Sequence, residues 1–130
     1  MEKIYLVLPF PPSVNRLWRT TRTGGMHRSA KYMEWKRHAE WAILQQAKGR
    51  KITGPYRLTV NLVRPDKRKR DIDNLFKAVS DSLVHMGIIE SDHLCERLEA
   101  GWVKTGPECE ILLESVNVEH TSKPPKAANL

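Results

Sequence analysis

From residue 64 to residue 77 the chain reads Arg-Pro-Asp-Lys-Arg-Lys-Arg-Asp-Ile-Asp-Asn-Leu-Phe-Lys, a block of cations set directly against a pair of carboxylates. Five of the seven residues from Arg64 to Arg70 are Lys or Arg, which suits a phosphate backbone. Asp71 and Asp73 follow at once, and carboxylates suit a hard divalent cation. Residues two apart point the same way in an extended or capping stretch. Lys77 lies four after Asp73, so on a helix the two share a face. Two close carboxylates repel, and a divalent cation relieves that repulsion. A helix N-terminus at the same place stabilises the carboxylates and can also receive a phosphate. Cations for a polyanion beside acids for a metal describe a candidate metal-dependent nuclease.

Each half also has a plainer explanation. The cationic run could be a solvated face or a non-catalytic binding patch. Asp71 and Asp73 could complement the helix dipole, and an Asp73–Lys77 surface pair stabilises a helix by only about 0.2–0.5 kcal/mol. An EF-hand loop is excluded, because counting from Asp71 the sixth residue is Phe76 and the twelfth is Ser82, where glycine and glutamate are needed. A nucleotide-sugar transferase with an Asp-x-Asp metal site needs a separate nucleotide-binding fold, for which 130 residues leave little room. Magnesium also needs a third acid, with positions left open for water and phosphate. Glu90 and Asp92 are the candidates, and spacing does not choose between them. They follow a predicted helix of about fourteen residues, so its start is roughly 20 Å away. Only the sheet could bring them back.

The remaining composition fits this class. One domain is expected for 130 residues, and 40 % hydrophobic content is too high for a disordered chain. A formal net charge of +7 favours an anionic partner, nucleic acid first and an acidic membrane surface second. No apolar run approaches transmembrane length, and the N-terminal residues read as a strand rather than a signal peptide, so an intracellular protein is expected. Cys95 and Cys109 are too few for a disulfide framework and too far apart for a CxxC site. The five histidines form no zinc-ligand spacing with them.

The elements that must position these residues follow from periodicity. Residues 3–8 read as a strand ending at Pro9-Phe10-Pro11-Pro12-Ser13, and residues 15–27 lack periodicity and read as a loop. Ser29 is placed to cap a helix running to about Ala47. Tyr32, Trp35, Ala39, Ala42 and Ile43 form its apolar face, with Lys36, Arg37 and Glu40 on the other side. Residues 56–63 alternate apolar and polar, as a strand does. Asp71 or a neighbour caps a second helix with Leu75, Phe76, Val79 and Leu83 as its buried stripe, and Gly87 ends it. Residues 88–92 connect to two strands, 95–103 and 108–116, expected to form a hairpin around Lys104-Thr105-Gly106-Pro107. The predicted fold is an α/β (α+β) two-layer sandwich, one mixed sheet of about four strands with two helices, in the order β-α-β-α-β-β. The sheet's other face is then solvated or covered by a second copy. Residues 1–118 are read as one nuclease domain and 119–130 as a disordered tail.

At this point the chain resembles a known family. The segment Asp66-Lys67-Arg68-Lys69-Arg70-Asp71-Ile72-Asp73-Asn74-Leu75-Phe76-Lys77-Ala78 is similar to the signature of the RusA Holliday junction resolvases, small endonucleases common in prophages. Pro11-Pro12-Ser13-Val14-Asn15 is similar to the family's opening motif. Gly87-Ile88-Ile89-Glu90-Ser91-Asp92 falls where the family has a glycine and a loop ending in two aspartates. The three motifs come in order and at fitting spacing, over roughly residues 4–117. The resemblance implies catalytic, metal-binding aspartates at Asp71, Asp73 and Asp92, so it selects Asp92 over Glu90, and a catalytic lysine at Lys77. It implies one or two Mg²⁺ ions per subunit, with Mn²⁺ as the alternative, and a homodimer cutting four-way DNA junctions in recombination and repair. Asn15, Arg64, Lys67, Arg68, Lys69 and Arg70 are the expected DNA contacts. Ser91 stands where the family has the first of two paired aspartates, and a loss of metal affinity would follow if that position were a ligand. Two alternatives stay open: a non-catalytic basic DNA-binding protein, and a RusA-like nuclease acting on flap or other branched DNA.

Overall fold

The computed structural model of the protein describes residues 2–13, 18–20, 26–28 and 30–116, the two short middle stretches as backbone alone. The elements are β1 (Lys3–Leu8), β2 (Trp18–Thr20), β3 (Met26–Arg28), α1 (Ala30–Ala47), β4 (Tyr56–Val63), α2 (Ile72–His85), a 3₁₀ turn (Asp92–Leu94), β5 (Cys95–Val103) and β6 (Cys109–Ser115). Four strands make one mixed sheet in the order β1-β6-β4-β5, and β2 and β3 form a separate antiparallel ribbon. The predicted sandwich of two helices on a four-stranded mixed sheet is what the chain forms. The expected cap Ser29, the motif residue Asn15 and the tail from residue 117 lie outside the described residues.

Alternation dictates which face is buried. Paired residues form three apolar rows across the sheet: Ile4–Leu113–Leu58–Leu98, Leu6–Ile111–Val60–Ala100 and Leu8–Cys109–Leu62–Trp102. All but the β5 members are buried, in one core with Tyr32, Trp35, Ala39 and Ile43 of α1 and Leu75, Ala78, Val79 and Leu83 of α2. Both helix stripes therefore pack on one face. The other face is mixed, with Tyr5, Val7 and Leu112 set among polar residues: Glu114 lies 3.6 Å from Lys3 and 3.2 Å from Arg57, and Glu110 accepts from Tyr5 Oη at 2.5 Å and from Asn61 Nδ2 at 3.3 Å. The outer edge of β1 is covered from α1, where Gln46 bonds both the N–H and the carbonyl of Val7, at 2.8 and 2.7 Å. Such cover blunts an exposed strand edge. Both cysteines are free, and burial pushes the Cys109 thiol up to about 12, as befits an inert core residue.

Two expectations are corrected. Residues 95–103 and 108–116 do not form a hairpin. β5 pairs in parallel with β4, while β6 runs antiparallel between β1 and β4. The segment 104–108 instead arches over the end of β4, where Val63 N–H meets Glu108 O at 3.1 Å. The physical reason lies in the side chains. Cys109, Ile111 and Leu113 are fully buried and need a strand on each side, whereas Glu96, Arg97 and Glu99 suit an edge. Within residues 15–27, read as a loop, the short β2–β3 ribbon forms. Three residues per strand are too few to show a period.

One polar contact ties the helices together. Glu40 of α1 accepts from Lys36 Nζ at 2.5 Å and lies 2.6 Å from His85 Nδ1 of α2. Burial pushes the Glu40 carboxyl up, but Lys36 and His85 outweigh it and hold it below its ordinary value. A lowered folded-state pKa gives stability that is complete above the unfolded glutamate value and lost as pH falls through the folded one. Glu40→Gln is therefore expected to cost on the order of 1 kcal/mol near neutrality. Its deficit against wild type should shrink as pH falls below the unfolded glutamate value of about 4.3. Urea unfolding of both proteins at pH 7 and at pH 3.5 measures this, and an equal deficit at both pH values would contradict the assignment.

Candidate active site

β4 ends at Val63, and the cationic run follows as the link to α2. Its five cations are not equivalent. The Arg64 guanidinium lies 4.2 Å from the ring centre of Trp102 on β5, Trp102 stacks with Phe10 at 6.2 Å, and Arg70 lies 5.4 Å from the Phe10 ring. Asp66 gathers the rest of the link. Its carboxylate accepts from the Arg68 backbone N–H at 2.9 Å, from Arg68 Nε at 3.2 Å, and from both terminal nitrogens of Arg70 at 2.6 and 3.0 Å. The Arg70 guanidinium first, and the Arg68 N–H next, hold the Asp66 carboxyl far below the usual carboxylate range. Lys67 and Lys69 are exposed.

Asp71 occupies the N-cap position of α2 with extended backbone, φ −89° and ψ 121°, yet its side chain makes no capping hydrogen bond. Asp73 sits exposed in the first turn. The helix N-terminus lowers the cost of holding both charges there. The surface pair between Asp73 and Lys77, the plainer explanation of their spacing, does not form. Lys77 Nζ lies 3.4 Å from Asp81 and 3.7 Å from Asp92. Asp81 escaped the sequence reading although it lies four residues after Lys77. An acid before a lysine is the better helical pair, so spacing alone favoured Asp73.

The return of Asp92 to this helix has a structural cause. Gly87, with φ +73°, ends α2 in a Schellman arrangement: Ile88 N–H reaches Leu83 O at 3.0 Å, and Gly87 N–H reaches Val84 O at 3.0 Å. Ile89 then bridges Ile52. The Glu90 carboxylate is taken up by the Gly54 backbone N–H at 2.9 Å, which separates it from the site. Ser91 caps the 3₁₀ turn, its Oγ accepting from His93 N–H at 3.3 Å and lying 2.6 Å from His93 Nδ1. Asp92 begins that turn and meets Lys77, one helical turn along from Asp73. Between α2 and β5 opens a cleft of about 320 Å³ lined by residues that include Phe76, Lys77, Ser80, Asp92, Cys95 and Leu98.

Asp92 and Lys77 are thus brought together, and Asp71 and Asp73 lie at the start of the same helix. Among the described residues no three acidic, histidine or cysteine side chains stand close enough to hold a metal ion. The donor chemistry still fits a hard divalent cation: three carboxylates, all exposed, with Asp71 not used as a cap and Asp73 not paired to Lys77. A working cap replaced by Ala costs about 0.5–2 kcal/mol. Asp71→Ala is expected to cost less than about 0.5 kcal/mol, because no capping bond is lost. Glu90→Ala, which strips the Gly54 N–H of its acceptor, is expected to cost about 1 kcal/mol. Urea denaturation ranks the two, and a larger loss for Asp71→Ala would make that residue a structural cap.

The family model described as Endodeoxyribonuclease RusA matches residues 9–114. The chain is 35 % identical over 92 residues to the crossover junction endodeoxyribonuclease rusA of Enterobacteria phage HK97, covering 71 % of this chain and 76 % of that protein. It is 35 % identical over 97 residues to the enzyme of the same name from Aquifex aeolicus, with 72 % and 75 % covered. The Escherichia coli K12 protein is 33 % identical over 87 residues, with 67 % and 72 % covered. No helix among the described residues is long and apolar enough to cross a membrane. The chain belongs to the RusA family of endodeoxyribonucleases.

Proposed function

We propose that this chain is a metal-dependent endonuclease that resolves four-way DNA junctions as a homodimer, two sites on a two-fold axis matching a substrate of the same symmetry. The observation that carries the reading is the meeting of Lys77 with Asp92 on the helix whose N-terminal end carries the acid pair Asp71 and Asp73. Asp71, Asp73 and Asp92 would hold the cation, Mg²⁺ or Mn²⁺, which when bound supplies a water of lowered pKa and neutralises phosphate charge. The protein's own residues supply the rest. Lys77 places an ammonium one helical turn from Asp73 and donates to an oxygen of the phosphate as charge develops there. The first turn of α2 adds the positive end of a helix dipole at the same end. Arg64, Lys67, Arg68, Lys69 and Arg70 hold neighbouring phosphates without reading bases. Asp81, bound to Lys77 on the side away from Asp73, restrains the ammonium in the free protein.

Cleavage of a labelled four-way junction with and without Mg²⁺ tests the proposal. The expected result is paired, symmetric nicks that require the ion. Asp73→Asn should bind the junction at least as well as wild type, since it removes a negative charge, while cutting slower by orders of magnitude. Lys77→Ala should lower the single-turnover rate about 10²–10³-fold with little change in affinity. Junction binding without ion-dependent cutting would favour a non-catalytic binding protein. Faster cutting of a flap than of the junction would assign the chain a different branched substrate.

A further inference from the structure

Asp66 is a carboxylate in the middle of a stretch that otherwise attracts phosphate. By charge alone it opposes DNA binding. Its contacts indicate what offsets that cost. Both of its oxygens close on the Arg70 fork, at 2.6 and 3.0 Å, while the other side of Arg70 has the Phe10 ring at 5.4 Å. The Arg70 side chain is left only 18 % exposed, against 75 % for Arg68. Phe10 is braced in turn by Trp102, and Trp102 by Arg64. Arg70 is also the residue that precedes Asp71, so whatever fixes Arg70 fixes the peptide entering α2.

We propose that Asp66 is a positioning residue for junction cleavage: it holds Arg70 against Phe10, and through the adjoining peptide sets the Asp71 carboxylate at the head of α2. A guanidinium has five N–H donors. Two of them bind Asp66 and a third reaches the Arg68 carbonyl at 3.5 Å, which leaves two for a phosphate. A side chain restrained before DNA arrives loses little further freedom on binding. Rotamer entropy otherwise opposes every arginine–phosphate contact. The tie is ionised at neutral pH, and the Arg70 guanidinium holds the Asp66 carboxyl lower still. This role rests on the junction-cleaving reading above.

Two other roles for the same contacts differ in sign. A latch that hides Arg70 from DNA would make Asp66→Asn bind more tightly. A carboxylate that merely closes the turn would leave binding and rate unchanged once folding is intact. Positioning predicts loss. Asp66→Asn raises the net charge by one, yet should bind a four-way junction several-fold more weakly and cut it about tenfold more slowly in single turnover with Mg²⁺. The same substitution added to Arg70→Ala should do nothing further, since coupled residues are non-additive. Asp66→Glu should restore part of the loss, and Arg70→Lys, which keeps the charge without the fork, should reproduce the Asp66→Asn defect even if that variant folds poorly. Tighter binding or an unchanged rate for Asp66→Asn, full additivity with Arg70→Ala, or a wild-type Arg70→Lys would each overturn the proposal. A wild-type protein that fails to cut would defeat the junction-cleaving reading instead, and the affinity measurements would still decide the role of Asp66.

Discussion

The parallel pairing of β4 with β5 is the constraint on which the rest of the molecule depends. A chain leaving the end of one strand and re-entering beside its start must cross the sheet. Here α2 makes that crossing, with the cationic link at one end and the Glu90–Asp92 loop at the other. The buried stripe Leu75, Val79 and Leu83 holds α2 on the apolar rows, so Lys77 on its polar side is turned to the cleft beside β5. Asp92 enters as the last step before β5 begins at Cys95, next to Tyr56. A hairpin between these strands in place of the crossover would remove the reason for Lys77 and Asp92 to meet.

Around that frame the charges are divided by task. Glu114, Glu110 and Glu40 each serve a strand or helix contact. Glu90 serves a backbone N–H and Asp66 serves two arginines. Asp71 and Asp73 do none of this work and stand exposed at the positive end of a helix. Carboxylates kept beside a cationic run, without a structural duty, are what a metal-using phosphodiesterase needs. The arginines are sorted too. Arg64 and Arg70 lie on aromatic rings, which fixes their direction, while Lys67 and Lys69 remain exposed and adaptable. Rigid donors set register on a backbone, and mobile ones add attraction.

Much of this was legible in the chain. The period-two patterns of β1 and β4, the α2 stripe, the Gly87 stop and the acid pair at residues 71 and 73 are local signals, and local physics reads them. Partner choice between strands is not local. Lys104-Thr105-Gly106-Pro107 is good turn chemistry, and the chain does bend there, but in an arch over β4 instead of a link between neighbours. The choice of Asp92 over Glu90 was carried by the family resemblance alone. In the structure Glu90 accepts from the Gly54 N–H. Asp81 and the Asp66 hub were missed because both sit at ordinary helical or turn spacing, where an exposed pair contributes little by itself. Only the tertiary neighbours, Asp92 for one and Phe10 for the other, give them meaning.

Whether the crossover unites the acids of α2 with Asp92 in one ion site is open to direct measurement. Manganese is paramagnetic and broadens the resonances of nearby nuclei, so titrating it into isotope-labelled protein reports which residues share an ion. The amide signals of Asp71, Asp73 and Asp92 should fade together at the same low manganese concentration, and all three should stay sharp in the Asp71→Asn/Asp73→Asn protein. An Asp92 signal that stays sharp while those of Asp71 and Asp73 disappear would contradict a shared centre.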